Sequence, residues 1–122
     1  MALTSARLSG NKRLVAASNN QPEIGKGEKD QKAVEILQTC LVELGFDMPR
    51  STKPNGLLDG VFGQETEAAV RQFQQSNALK PDGIVGRATL GRLDAIFDGL
   101  VKTEGVAIRI AMAAPNSNWR IT

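Results

Sequence analysis

The sequence predicts an all-α fold: a compact three-helix bundle with an internal turn-helix repeat, a flexible N-terminal arm and a short extended C-terminal tail. Three observations predict it. DGVFGQET at 59–66 and DGIVGRAT at 82–89 share the pattern D-G-x-x-G-x-x-T and start 23 residues apart. Each is followed by an apolar stripe of helical period: Ala69, Val70 and Phe73 after the first, Leu90, Leu93, Ile96 and Phe97 after the second. A further stripe, Val34, Leu37, Leu41 and Leu44, precedes both copies. Superposing the copies sets Val70 on Leu93 and Phe73 on Ile96, so the likeness runs from the loop into the buried helix face.

The elements follow in chain order. Residues 1–29 are rich in Ser, Asn, Gly and charge. Within them SGNKRLVAAS suits one short helix, capped by Ser9 or Asn11, with Leu14 and Val15 facing inward. NNQPEIGKGEK then reads as an extended linker, because Pro22, Gly25 and Gly27 oppose helix. The first helix of the bundle is predicted over about 30–44, ended by Gly45 in the left-handed region, with Phe46 folding back on its last turn. DMPRSTKPNG is a loop with two prolines and an Asn-Gly turn. In each repeat the Asp-Gly pair makes a turn and the second glycine caps a helix, predicted over about 64–75 and 87–97. Beyond Gly99, Val106, Ile108, Ile110 and Met112 alternate as in a short strand. The expected organisation is an arm at 1–29, a folded domain at 30–98 and a tail at 99–122.

Composition limits what the chain can do. It has 122 residues, 41% hydrophobic and only 4% aromatic, which suits one small aliphatic core. Its net charge of +2 is divided as +3 over residues 1–29, −3 over 30–98 and +2 over 99–122, with no clustered basic face for nucleic acid. The absence of histidine removes Ser-His-Asp and Cys-His catalysis and the usual zinc ligand sets. The one cysteine, Cys40, falls in a helical pattern and reads as a small buried hydrophobe. No apolar run approaches the roughly 18 residues that span a membrane, and the N-terminus lacks the apolar region of a signal peptide.

The repeat itself has three readings. A metal loop needs several acids in one turn, and each copy supplies one Asp, so no metal or other cofactor is expected. Paired carboxylates for catalysis would be Asp59 with Asp82, or Glu65 with Glu67. Asp before Gly is ordinary turn chemistry, however, and residues two apart on a helix diverge. The third reading is architecture that also binds. Each copy presents a helix N-terminus, with unsatisfied N–H groups, beside a glycine that lets a ligand approach.

AVEILQTCLVELGF, DGVFGQETEAAVRQFQ and LKPDGIVGRATLGRL together resemble the three-helix peptidoglycan-binding domain found beside many cell-wall hydrolases. Leu37-Gln38, Leu44-Gly45-Phe46, Phe62, Ala69-Val70, Phe73-Gln74 and both D-G-x-x-G-x-x-T units fall in register over about residues 30–97. The loop from Asp47 to Leu58 is longer than in many such domains. The resemblance implies a non-catalytic wall-binding module with peptidoglycan as its partner. With no Tyr and one Trp in the tail, the stem peptide is the expected epitope rather than the sugar face. The implied ligand-binding residues are Gln38, Asp59, Phe62, Gly63, Gln64 and Thr66 in the first copy and Asp82, Gly86, Arg87 and Thr89 in the second. The alternative is a structural or adaptor subunit that docks into a phage-tail-like or secretion assembly through residues 99–122. Either way the expectation is a protein made in the cytoplasm that acts at the envelope or in an exported particle.

Overall fold

The computed structural model describes residues 3–106, with side chains described through Gly99. The element order is α1 (Ala6–Ser9), α2 (Lys12–Ser18), α3 (Gln31–Glu43), a 3-10 turn at Pro49–Ser51, α4 (Gln64–Ser76) and α5 (Arg87–Val106). Among the described residues there are two isolated β-bridges, Ile24–Val85 and Thr52–Leu58, and no sheet. The all-α class and the repeated turn-helix unit are therefore as the sequence predicts.

Capping explains the helix boundaries. Asp30 opens α3 by accepting from the Ala33 amide at 3.0 Å, satisfying one donor the helix cannot pair internally. At its other end Gly45 sits at φ 98°. The Gly45 amide donates to the Val42 carbonyl (3.0 Å) and the Phe46 amide to the Leu41 carbonyl (2.9 Å), the paired bonds of a Schellman motif. That return places Phe46 edge-on against Phe73, with ring centroids 5.9 Å apart. The same stop recurs twice without glycine. Asn20 at φ 57° closes α2, and Ala78 at φ 58° closes α4, the latter with Leu79 donating to the Gln74 carbonyl at 2.8 Å. Asparagine tolerates this left-handed region better than most residues.

The core contains Val34, Leu37 and Leu41 from α3, Ala69, Val70 and Phe73 from α4, and Leu90, Leu93 and Phe97 from α5, all buried. Cys40 lies among them at zero exposure, and burial pushes its thiol up to about 11 although Arg7 opposes the shift. It is protonated at neutral pH, the inert packing residue its helical position suggests.

The N-terminal segment departs from the expectation of a flexible arm. Leu8, Leu14, Ala17 and Ile24 are each fully buried and belong to the same core. The short helix expected here is present as α2, capped by Asn11 with Leu14 inward, whereas Leu8 and Ile24 stand apart from any stripe, and Ile24 reaches the core through its bridge to Val85. Polar wiring then fixes the segment. Arg13 grips Glu28 with two hydrogen bonds, Nε to Oε2 at 3.0 Å and Nη2 to Oε1 at 2.8 Å. It also donates to the Pro22 and Glu23 carbonyls at 2.8 and 3.1 Å. That hydrogen bond from Arg13 outweighs the burial that would raise the Glu28 carboxyl, and holds it below its ordinary range.

Asp94 of α5 anchors the start of the chain. Its carboxylate accepts from the Thr4 amide (2.9 and 3.0 Å), the Thr4 hydroxyl (3.0 Å) and the Ser5 amide (2.7 Å). The helix that carries Asp94 continues to Val106, past the 97 expected from the stripe. Val106, expected to open a strand, is its last residue; Ile108, Ile110 and Met112 lie outside the described residues.

Burial alone would raise the Asp94 carboxyl, but these backbone and hydroxyl donors outweigh it and hold it below its ordinary value. The depressed folded-state value means that its contribution is complete above the unfolded pKa of about 3.9 and is lost as pH falls through the lower folded value. Asp94→Asn is therefore expected to destabilise by about 1–3 kcal/mol at neutral pH. In urea melts the gap between wild type and variant should narrow below about pH 4. A gap that persisted unchanged at lower pH would contradict the charged-acceptor role.

Candidate functional site

Both copies of the repeat are organised around a buried glutamine amide. In the first, Gln38 of α3 is fully buried. Its Oε1 accepts from the Gly60 amide at 2.9 Å. Its Nε2 faces the Asp59 carboxylate (3.1 Å), the Val61 carbonyl (3.1 Å) and the Thr66 hydroxyl (3.0 Å). In the second copy Gln74 of α4 repeats the set. It accepts from the Gly83 amide at 2.9 Å and faces Asp82 (3.1 Å), the Ile84 carbonyl (3.0 Å) and Thr89 (3.0 Å). Two amide protons serve three acceptors in each case. The Gly N–H fixes which end of the amide is oxygen.

The remaining positions of the motif complete this unit. Asp59 and Asp82 each accept from the amide two residues on, Val61 and Ile84, at 2.9 Å. These are the side-chain turns that make Asp-Gly a turn signal. Thr66 returns a hydrogen bond to the Val61 carbonyl at 3.2 Å. Gly60 and Gly83 have φ 73° and 75°. A Cβ on Gly60 would also stand 2.8 Å from the Gln31 backbone oxygen, whereas one on Gly83 would meet the Glu67 and Arg71 side chains.

Among the residues read from the sequence, Gln38, Phe62, Thr66 and Thr89 are buried. The structure thus gives three of them to the clamp and Phe62 to the core, where its ring is 2% exposed. Asp59 and Asp82 are half-buried within their turns, and Gly63 is half-buried at the N-cap of α4. Gln64 and Arg87 begin α4 and α5 and are exposed. Gly86 is buried, because Asn20 and Glu23 cross it; a Cβ there would lie 2.6 Å from Asn20 Oδ1 and 2.8 Å from Glu23 Cγ.

The copies differ in what surrounds them. On the first, Glu65 accepts from the Arg50 amide (3.1 Å) and the Ser51 hydroxyl (2.8 Å), tying the 3-10 turn across the start of α4. On the second, Asn20 Oδ1 caps α5 by accepting from the Arg87 amide at 2.9 Å. Ile24 exchanges two backbone hydrogen bonds with Val85, of 2.7 and 2.9 Å, while Gly27 donates to the equivalent Phe62 carbonyl at 3.0 Å. One segment thereby stitches both copies. A groove of about 440 Å³ lies on the second copy, with Gln74 and Thr89 at its floor and Asn20, Glu23, Lys80 and Arg87 among its walls.

Sequence reasoning did not place Gln74, Asn20, Glu23 or Lys80 at the site. Gln74 had a signal: a glutamine follows an inward-facing residue in both helices, as Leu37-Gln38 and Phe73-Gln74. Asn20 and Glu23 had none, since they reach the groove only through the packing of the N-terminal segment. Among the described residues no cluster of three His, Cys, Asp or Glu side chains could hold a metal ion, and no helix is long and apolar enough to cross a membrane.

Residues 30–93 match the sequence model of the peptidoglycan binding domain family. The chain is 40% identical over 80 residues to the type VI secretion system spike protein VgrG3 of Vibrio cholerae, covering 56% of this chain and 7% of that one. It is 36% identical over 64 residues to the N-acetylmuramoyl-L-alanine amidase CwlL of Bacillus licheniformis, covering 52% of this chain and 18% of that one. It therefore spans less than a fifth of either protein. The crystal structure of a peptidoglycan-binding protein from Clostridioides difficile, in complex with glutamine hydroxamate, superposes with a TM-score of 0.53. That match has 34% identity and covers 63% of this chain and 43% of the other.

Each clamp glutamine is expected to matter equally. Gln38→Leu and Gln74→Leu leave the buried Gly60 or Gly83 amide without its acceptor, and each should cost about 1–3 kcal/mol. Circular-dichroism melts that left either variant at the wild-type midpoint would refute the clamp. The glycines should not be equal. Gly60→Ala confronts a backbone oxygen and should lower the melting temperature more than Gly83→Ala, which confronts side chains that can move.

Proposed function

The chain belongs to the peptidoglycan binding domain family, and on that premise we propose that it is a non-catalytic module that binds the bacterial cell wall through the stem peptide. The observation that carries this reading is the groove on the second repeat. Its floor is fixed by the Gln74 clamp, while charged side chains line its walls. Stem peptides carry carboxylates, and a rigid cleft with cations at its rim suits them. Sugar recognition by ring stacking has less support, because Phe62, Phe73 and Phe97 are all buried and Phe46 packs against Phe73. Catalysis has none from the carboxylates of the repeat, which are held in their turns by hydrogen bonds. A shallow site of this kind binds weakly by itself and gains from many copies of its ligand in the wall.

A second reading is favoured by one observation, the 40% identity to a segment of a secretion spike protein. In that reading the domain is carried into an exported particle and residues 99–122 contact the assembly. Both readings have the protein act at the envelope or beyond it.

Co-sedimentation with purified, insoluble sacculi tests the first reading. The wild type should pellet with the sacculi. Arg87→Ala should reduce the bound fraction while leaving the unfolding free energy within about 0.5 kcal/mol of wild type, as for most surface changes. Deletion of residues 113–122 should leave binding intact. A wild type that stayed in the supernatant at every salt concentration, with truncation of residues 99–122 breaking a protein complex, would establish the assembly reading instead.

A further inference from the structure

The two copies share their frame but not their chemistry. Lys80 and Arg87 correspond, by the 23-residue offset, to Leu57 and Gln64 in the first copy. At these two positions only the second copy carries cations. It also has an acid from outside the repeat, since Glu23 lies over Gly86 and lines the same groove. The Glu23 backbone is held in place by Arg13, which takes its carbonyl at 3.1 Å, and by the neighbouring Ile24–Val85 bridge. The ion pairs of the described residues join Arg7 to Glu43, Arg13 to Glu28, Lys32 to Glu35 and Arg71 to Glu67. Glu23, Lys80 and Arg87 belong to none of them. The groove thus holds charges of both signs on a rigid frame, with its cations and its acid not paired to one another. Its volume of about 440 Å³ admits a short peptide segment.

We propose that this groove selects a zwitterionic peptide segment, its carboxylate on Lys80 and Arg87 and a free primary amine on Glu23. This rests on the wall-binding reading above and narrows it. A stem peptide built on a diamino acid offers that pair of groups, a side-chain amine near a carboxylate. Cross-linking converts the amine to an amide and removes its charge, so the groove distinguishes uncross-linked stems from cross-linked ones. The first copy, with Leu57 and Gln64 in place of the cations, serves as frame.

The experiment is an NMR titration of the full chain with two synthetic tripeptides, N-acetyl-L-Ala-γ-D-Glu-L-Lys with its side-chain amine free and the same peptide with that amine acetylated as well. The free peptide should shift the amides of residues 80–89, and acetylation should weaken binding about tenfold, the loss of one charge-assisted contact. Glu23→Gln should abolish the difference between the two peptides. Lys80→Leu with Arg87→Gln, which installs the residues of the first copy, should abolish binding of both. Lys53→Ala, which removes a cation from the other loop, should change nothing. The proposal is overturned if neither peptide binds up to about 10 mM, if the shifts fall on residues 59–66, or if Glu23→Gln retains the discrimination. Sedimentation with sacculi, run in parallel, separates the two levels. A wild type that pellets but ignores the tripeptide sinks this proposal alone. One that binds the tripeptide with the expected variant pattern but does not pellet supports the groove and sinks wall binding.

Discussion

Two glutamine side chains, each buried and each held by four groups of one turn, set the geometry on which the rest of the domain depends. A buried amide is tolerated only when its donors and acceptors are satisfied. Gln38 and Gln74 meet that condition with nearly identical distances in both copies. The requirement runs in both directions. The turn needs the amide to tie down its N–H and carbonyl groups, and the amide needs the turn. Asp, the first Gly and Thr of the motif are consequently fixed by chemistry internal to the fold. The positions left open to vary are those facing outward, such as Val61 and Ile84, which are 58% and 45% exposed.

That division bears on how a duplicated unit can acquire a site on one side only. The frame constrains eight-residue loops at 59–66 and 82–89 alike, yet the residues just outside them differ freely. The first copy is closed over by the loop through Glu65. The second is bordered by the N-terminal segment through Asn20. Each helix start is therefore partly covered, but by different partners. What remains accessible differs in charge as well as in shape.

Much of the bundle was legible in the sequence because its signals are local. The stripe of α3, the Gly45 stop and the two turn-helix starts each depend on residues within a few positions of one another. The N-terminal segment was legible only in part, for the opposite reason. The short helix with Leu14 inward and Asn11 as its cap was readable, but Leu8 and Ile24 are single apolar residues in polar surroundings, and their burial is decided by parts of the chain many tens of residues away. The motif residues were legible as a set but not in role. Gln38, Thr66 and Thr89 look like ligand contacts when only their conservation of spacing within the chain is seen. The hydrogen bonds show Gln38 facing Thr66, and Thr89 facing Gln74.

The two clamps also close loops of different length, which matters for the order in which the domain assembles. Gln74 reaches Asp82 across 8 positions, whereas Gln38 reaches Asp59 across 21. By the logarithmic cost of loop closure the longer one is entropically dearer by about 0.9 kcal/mol. Contacts of the N-terminal segment are more distant still, with Asn20 and Arg87 separated by 67 positions and Thr4 and Asp94 by 90. On this measure the second clamp closes at lower entropic cost than the first, and both close at lower cost than these two contacts of the N-terminal segment. The walls that Asn20 and Glu23 supply to the groove would be among the last parts of the molecule to arrive.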